Sequence, residues 1–196
     1  MIFEATPLAG AFVIDPEPIA DNRGFFARLF CAATFTARGL NPHLDQISIS
    51  QNVSAGTIRG FHLQRPPAAE CKLIRVTAGA ILDVIVDVRA GSATFGRWFS
   101  VELSAANRRL IYVPEGFAHG FQTLLPDTEV TYHISHPLSS EHATGLPFDD
   151  PDLAVAWPIP GPITISDRDR AWAPFRQFQV AGERCRRRSP TVRWRC

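Results

Sequence analysis

Ten short runs of β-branched and aromatic residues, cut apart by Gly, Pro, Asn and Asp, leave this chain of 196 residues little choice of architecture. The runs predict strands over 11–15, 24–30, 45–51, 57–63, 72–77, 80–88, 96–103, 109–113, 118–124 and 128–134. Thr77-Ala-Gly-Ala80 reads as the turn between two of them, and Ala90-Gly-Ser92 ends the next. Strands at this spacing, without alternating long helices, predict an all-β sandwich or barrel. Only 30–40 reads as helical, and as a short piece. Prolines at 137, 147, 151, 158, 160 and 162 preclude central strands, so the later chain is expected to wrap the outside and return to the body. One domain over 1–178 is expected, followed by a basic tail over 179–196 that has little to bury and reads as disordered or partly disordered.

Charge and cysteine usage narrow the classes of partner. The formal net charge of +1 conceals an asymmetry: residues 177–196 hold six arginines and one acid, for +5, leaving −4 for the rest. The body therefore offers no reason to expect nucleic acid or membrane. Cys31, Cys71, Cys185 and Cys196 show no metal-ligand spacing and read as free thiols of a cytoplasmic protein. The N-terminus lacks the basic and apolar regions of a signal peptide.

Two histidine motifs carry the chemistry. They are Arg59-Gly-Phe-His-Leu-Gln64 and Glu115-Gly-Phe-Ala-His-Gly-Phe121, with Lys72 between them. Lys72 is the only lysine; the other 19 basic side chains are arginine. A compact ammonium can donate to a developing oxyanion in a way that a planar guanidinium does not. In an extended segment His62 and Gln64 share one face while Phe61 and Leu63 share the other. Arg59 has the wrong parity to join His62 unless Gly60 allows a bulge. Asp83, inside Ile81-Leu-Asp-Val-Ile-Val86, needs a partner, and His119 is the expected one. Alone, Tyr132 reads as strand packing and Asp169 as a surface acid in a polar turn, unless the late chain folds back onto His62.

Pro114-Glu-Gly-Phe-Ala-His119 resembles the second motif of the cupin superfamily, small jelly-roll barrels. The ordered blocks Asp21-x-Arg-Gly-Phe-Phe26, Arg59-Gly-Phe-His-x-Gln64, Lys72-Leu-Ile-Arg75, Asp83-Val-Ile-Val-Asp87, Pro114 to Phe121 and Trp157-Pro158 together resemble the dTDP-4-dehydrorhamnose 3,5-epimerase family. The resemblance implies a cupin-type jelly roll with short peripheral helices, acting as a homodimer without metal or organic cofactor. It implies a nucleoside-diphosphate 4-keto-6-deoxyhexose as substrate, inverted at C3 and C5 through enolates. In that scheme His62 is the base, Asp169 orients it and Tyr132 is the acid on the opposite face. Lys72 stabilises the enolate oxygen. Arg23 and Arg59 meet the diphosphate, His119 sits at the sugar or phosphate end, and Gln46 and Ser48 lie toward the nucleotide. Arg168 stands where the family usually has lysine.

The departures gather on the binding side. Arg28 replaces a common glutamate, Leu138 a common base-stacking aromatic, and Thr144 an acid, while Ser48 and Ser50 replace a more polar pair. Inversion at C3 only, or another nucleotide, therefore stays open. So do two other classes: a metal-dependent cupin dioxygenase, which would need ligands beyond His62 and His119, and a non-catalytic sugar-nucleotide binder.

Overall fold

The computed structural model describes residues 1–178; the tail expected over 179–196 lies outside the described residues. The elements run β1 (Ile2–Ala5), β2 (Phe12–Asp15), β3 (Ile19–Asp21), β4 (Gly24–Phe26), α1 (Ala32–Thr36), β5 (Gln46–Asn52), β6 (Ile58–Gln64), β7 (Lys72–Ala78), β8 (Ala80–Asp87), β9 (Trp98–Ser104), β10 (Leu110–Val113), β11 (Phe117–Thr123), β12 (Thr128–Ile134), β13 (Ala143–Gly145) and α2 (Asp167–Arg170), before a 3₁₀ turn at Phe175–Gln177. They form one six-stranded sheet in the order β1-β2-β10-β7-β12-β5, one five-stranded sheet in the order β13-β6-β11-β8-β9, and the β3–β4 hairpin. This is the all-β architecture of packed sheets that the strand spacing predicts, in the jelly-roll form that the family resemblance implies.

Period-two alternation sorts each strand between layers. Ile74 and Val76 of β7, Ile81 and Ile85 of β8, Phe117 and Phe121 of β11 and Val130 of β12 meet between the sheets in a buried core. On the five-stranded sheet, the alternate residues Val84, Val86 and Ala118 face outward, joined by Phe61 and Leu63. They are covered by Leu146, Leu153 and Trp157 of the proline-rich segment, which wraps the outside as its composition predicts. On the other sheet, Ile14, Leu73, Leu110 and Tyr112 are covered by Phe35 of α1 and by Leu40.

Three differences from the sequence reading have local causes. The run over 24–30 is a strand only to Phe26, because Leu29 and Phe30 turn away to pack beside Phe35. The helix over 30–40 shrinks to Ala32–Thr36, whose N-cap Cys31 makes no side-chain capping bond. Strands β1, β3 and β13 are three or four residues long, too short for alternation to be read.

Asp87, at the end of β8, shows how the turns are locked. Its fully buried carboxylate takes Arg89 Nε at 2.9 Å and Nη2 at 2.7 Å, Ser92 Oγ at 2.6 Å and Thr94 Oγ1 at 2.6 Å. Burial pushes this carboxyl up, but the Arg89, Ser92 and Thr94 hydrogen bonds outweigh burial and hold it at about 2, below the ordinary 3.8. The depressed pKa means stability present above about pH 4 and lost as pH falls through about 2, a contribution on the order of 2 kcal/mol. Removing the carboxylate also takes the acceptor from Arg89 Nε and Nη2, Ser92 Oγ and Thr94 Oγ1, while Arg89 Nη1 keeps the Ala9 carbonyl oxygen. Asp87→Ala is therefore expected to cost about 3–5 kcal/mol in urea denaturation at pH 7. A cost below about 1 kcal/mol would contradict this account of the turn.

Candidate active site

The site begins where two glycines let two strands approach. In the β6–β11 pairing His62 lies opposite His119, and the register shifts before Arg59 meets Phe121. Gly60, at φ +120°, sits at the shift. A Cβ on Gly60 would lie 2.6 Å from Gly120 Cα and 2.7 Å from the His119 carbonyl oxygen, so no larger residue fits. The shift also resolves the parity of Arg59, which lines the same cavity as His62 despite being three residues away.

That cavity is about 320 Å³ and opens between the two sheets; His62, Lys72, His119, Tyr132, Arg59 and Arg168 all contribute to its wall. The late chain does fold back: α2 puts Asp169 behind His62. Ser166 caps α2, its Oγ accepting the Asp169 N–H at 3.1 Å. Asp169 Oδ1 lies 2.6 Å from His62 Nε2, and Oδ2 accepts the Gly60 N–H at 3.1 Å. Burial pushes the Asp169 carboxyl up, but the bond and charge of His62, with the Gly60 N–H, hold it below the usual carboxylate value. Ionised Asp169 only accepts, so Nε2 carries the proton and Nδ1 is the basic nitrogen of His62.

A second couple lies deeper. His119 Nε2 is 2.7 Å from Asp83 Oδ2, with both residues buried. This is the pairing expected for Asp83, not a turn cap. The His119 ring stands edge-on to Tyr132, with centroids 6.1 Å apart. Burial, reinforced by the Asp83 charge and opposed by Arg59, pushes the Tyr132 phenol well above its ordinary value, so it stays protonated.

Lys72 does not wave at the cavity mouth. Its ammonium is 3.0 Å from Glu70 Oε1 and donates to the His62 carbonyl oxygen at 3.2 Å. Arg59 is steadied by Asn52 Oδ1 at 2.8 Å, and the Arg168 guanidinium lies over the Trp172 ring at 5.2 Å.

Three expected binding residues are not on the cavity wall. Arg23 sits in the exposed β3–β4 turn, where Asp21 takes its guanidinium at 2.5 Å. Gln46 spends its carbonyl oxygen on the Leu138 N–H at 3.1 Å, tying down the loop at the cavity rim. Ser48 is exposed on β5, the outer strand of its sheet. In its place Ser50, two residues on and of the same parity, lines the cavity. Glu70 also lines it and was not singled out by the sequence. Its position two residues before the only lysine is the signal that points to it. Among the described residues, no three His, Cys, Asp or Glu side chains gather as a metal-ligating group.

Comparisons with known proteins point to one family. The family model described as dTDP-4-dehydrorhamnose 3,5-epimerase matches residues 5–177. A protein of that name from Methanothermobacter thermautotrophicus is 42% identical over 180 residues, covering 91% of this chain and 96% of its own. The crystal structure of the Elizabethkingia anophelis dTDP-4-dehydrorhamnose 3,5-epimerase superposes with TM-score 0.86 at 36% identity, over 89% of this chain and 96% of the other. That of the Bacillus anthracis enzyme, with TDP and PPi bound, does so with TM-score 0.84 at 41% identity, over 89% and 99%.

The hydrogen-bond logic at His62 is open to direct measurement. Asparagine at 169 offers one acceptor where the carboxylate offers two, so Gly60 and His62 compete for it. Long-range ¹⁵N–¹H NMR is expected to find His62 protonated on Nε2 in the wild type and shifted toward Nδ1 protonation in Asp169→Asn. An unchanged tautomer would show that Asp169 does not set it.

Proposed function

Because the chain belongs to the dTDP-4-dehydrorhamnose 3,5-epimerase family, we propose that it inverts C3 and C5 of a dTDP-linked 4-keto-6-deoxyhexose by removing and returning a proton beside the ketone. What supports the reading most is the convergence of His62, Lys72 and Tyr132 on one cavity, with a carboxylate behind the imidazole.

Each group has a task suited to its surroundings. Hydrogens at C3 and C5 flank the ketone, so loss of either gives an enolate. His62 Nδ1 takes the proton, and the buried Asp169 carboxylate stabilises the imidazolium that forms. A neutral imidazole is a weak base for a carbon acid, so the charge on the ketone oxygen must be met by a donor; Lys72 is that donor. Tyr132, kept protonated by its surroundings, returns a proton to the other face, and the carbon inverts. A phenol so reluctant to ionise is a weak acid, yet an enolate carbon is basic enough to take its proton. Arg59 and Arg168 suit the diphosphate, whose oxygens guanidiniums bind in pairs.

The unit that acts is a homodimer in this reading. Ile47 and Ile49 project from β5 at 67% exposure each, beside a strand edge that pairs with nothing on its far side among the described residues. Phe26 of the β3–β4 hairpin is 69% exposed. A second copy covering these apolar surfaces also gives Arg23 and Ser48 a place at a shared site. Among the described residues no helix is long and apolar enough to cross a membrane. Cys31 and Cys71 are free, which suits action in the cytoplasm.

Incubation with dTDP-4-keto-6-deoxyglucose in D₂O is expected to place deuterium at both C3 and C5. His62→Asn should slow both by roughly 10²–10⁴-fold. Label at C3 alone would reduce the activity to 3-epimerisation. No label from any nucleoside-diphosphate 4-keto-hexose would reject the reading.

A further inference from the structure

We propose that Glu70 is a positioning residue for Lys72, holding the ammonium so that one N–H is reserved for the oxygen on which negative charge develops. The proposal rests on the epimerase reading above and extends it to a residue outside the proton-transfer set. Lys72 and Glu70 are 9% and 8% exposed, yet both face the cavity. Glu70 Oε1 is 3.0 Å from Lys72 Nζ. Its other oxygen accepts the Gln64 N–H at 3.1 Å, so both ends of the carboxylate are tied down. Lys72 also donates to the His62 carbonyl oxygen at 3.2 Å. An ammonium has three donors; two are taken by the protein and one is left for a ligand. Two fixed acceptors define where that third donor points, which a lysine alone on its four-carbon stem would not do.

The carboxylate has a second consequence. The substrate carries a diphosphate, and an uncompensated ammonium in a partly desolvated cavity attracts it as strongly before the reaction as during it. Such uniform binding lowers KM and leaves kcat unchanged. Pairing Lys72 with a fixed carboxylate cancels much of its long-range field while leaving its short-range hydrogen bond. Lys72 thereby favours charge that appears within hydrogen-bonding distance, at the ketone oxygen. The two guanidiniums on the same wall, Arg59 and Arg168, take part in no ion pair among the described residues, unlike Arg23, Arg89 and Arg109. Their positive charge remains uncompensated for the diphosphate, although Arg59 Nε is held by Asn52 Oδ1.

The test compares wild type, Glu70→Gln, Lys72→Met and the double variant by steady-state kinetics, deuterium incorporation and dTDP binding. Glutamine has nearly the same shape but only one oxygen for the two donors that Glu70 satisfies. Glu70→Gln is expected to lower kcat by about 10- to 100-fold, less than the roughly 10²–10³ lost with an oxyanion donor itself. KM and the dTDP dissociation constant should stay level or fall. In the Lys72→Met background the same change should alter the exchange rate by no more than about twofold. An unchanged kcat, an equal loss in both backgrounds, or a raised KM with intact kcat would each overturn the proposal. If Glu70→Gln fails to fold, Glu70→Asp carries the same comparison, since it keeps the charge but withdraws it by one methylene. A wild type that incorporates no deuterium removes the epimerase reading and this proposal with it, and is recognised before any variant is made.

Discussion

One buried carboxylate ties the late chain to strand β6 at the point where chemistry is expected. Asp169, on a four-residue helix, reaches across 107 positions to His62 and also grips the Gly60 N–H. Its position depends on the whole C-terminal wrap, which lies over the outer face of the five-stranded sheet through Leu146, Leu153 and Trp157. The apolar burial on that face and the orientation of the imidazole are therefore linked. If the wrap detached, His62 would lose the acceptor that fixes its basic nitrogen. The Asp169 carboxyl remains ionised despite burial because two donors, the His62 Nε2–H and the Gly60 N–H, meet its two oxygens.

The cavity separates charges by type. Its lone ammonium is paired and buried, and its guanidiniums are exposed and unpaired among the described residues. A fixed donor suits the ketone oxygen, whose charge appears and disappears during turnover, whereas long, hydrated guanidiniums suit a diphosphate that is charged throughout. This division gives a physical reason for a chain that uses arginine at every basic position but one.

The strands were legible because β-branched runs ended at Gly, Pro and Asp, and because alternation within Ile81–Val86 and Phe117–Phe121 places whole faces inward or outward. A carboxylate inside the apolar run Ile81–Val86 needs a partner, His119 was the one expected, and the two do meet. Strands β1, β3 and β13 were too short to carry a pattern. The helix bearing Asp169 was equally short, yet Ser166-Asp-Arg-Asp169 holds a capping signal that the structure uses. Tyr132 and Asp169 had no distinctive signal of their own; the family resemblance singled them out, and the fold brings them to one site. Gln46, Ser48 and Arg23 were placed at the site by resemblance alone. In the single chain Gln46 ties down the rim loop, Ser48 lies on an outer strand and Arg23 occupies a distant turn. No pattern local to the sequence distinguishes a residue that lines its own chain's cavity from one that does not. Glu70 escaped notice because a carboxylate in a Pro- and Ala-rich connection looks like ordinary solvated charge until its burial is known.

The central claim is that imidazole and phenol act on opposite faces of one carbon. Following Tyr132→Phe in D₂O by NMR, with exchange and inversion scored separately at C3 and C5, tests it most directly. The account expects deuterium to enter while configuration is largely retained, because His62 still removes a proton and returns one to the same face after its own has exchanged with solvent. Inversion at the wild-type rate in that variant would contradict it, since the second face would then be served by some other group.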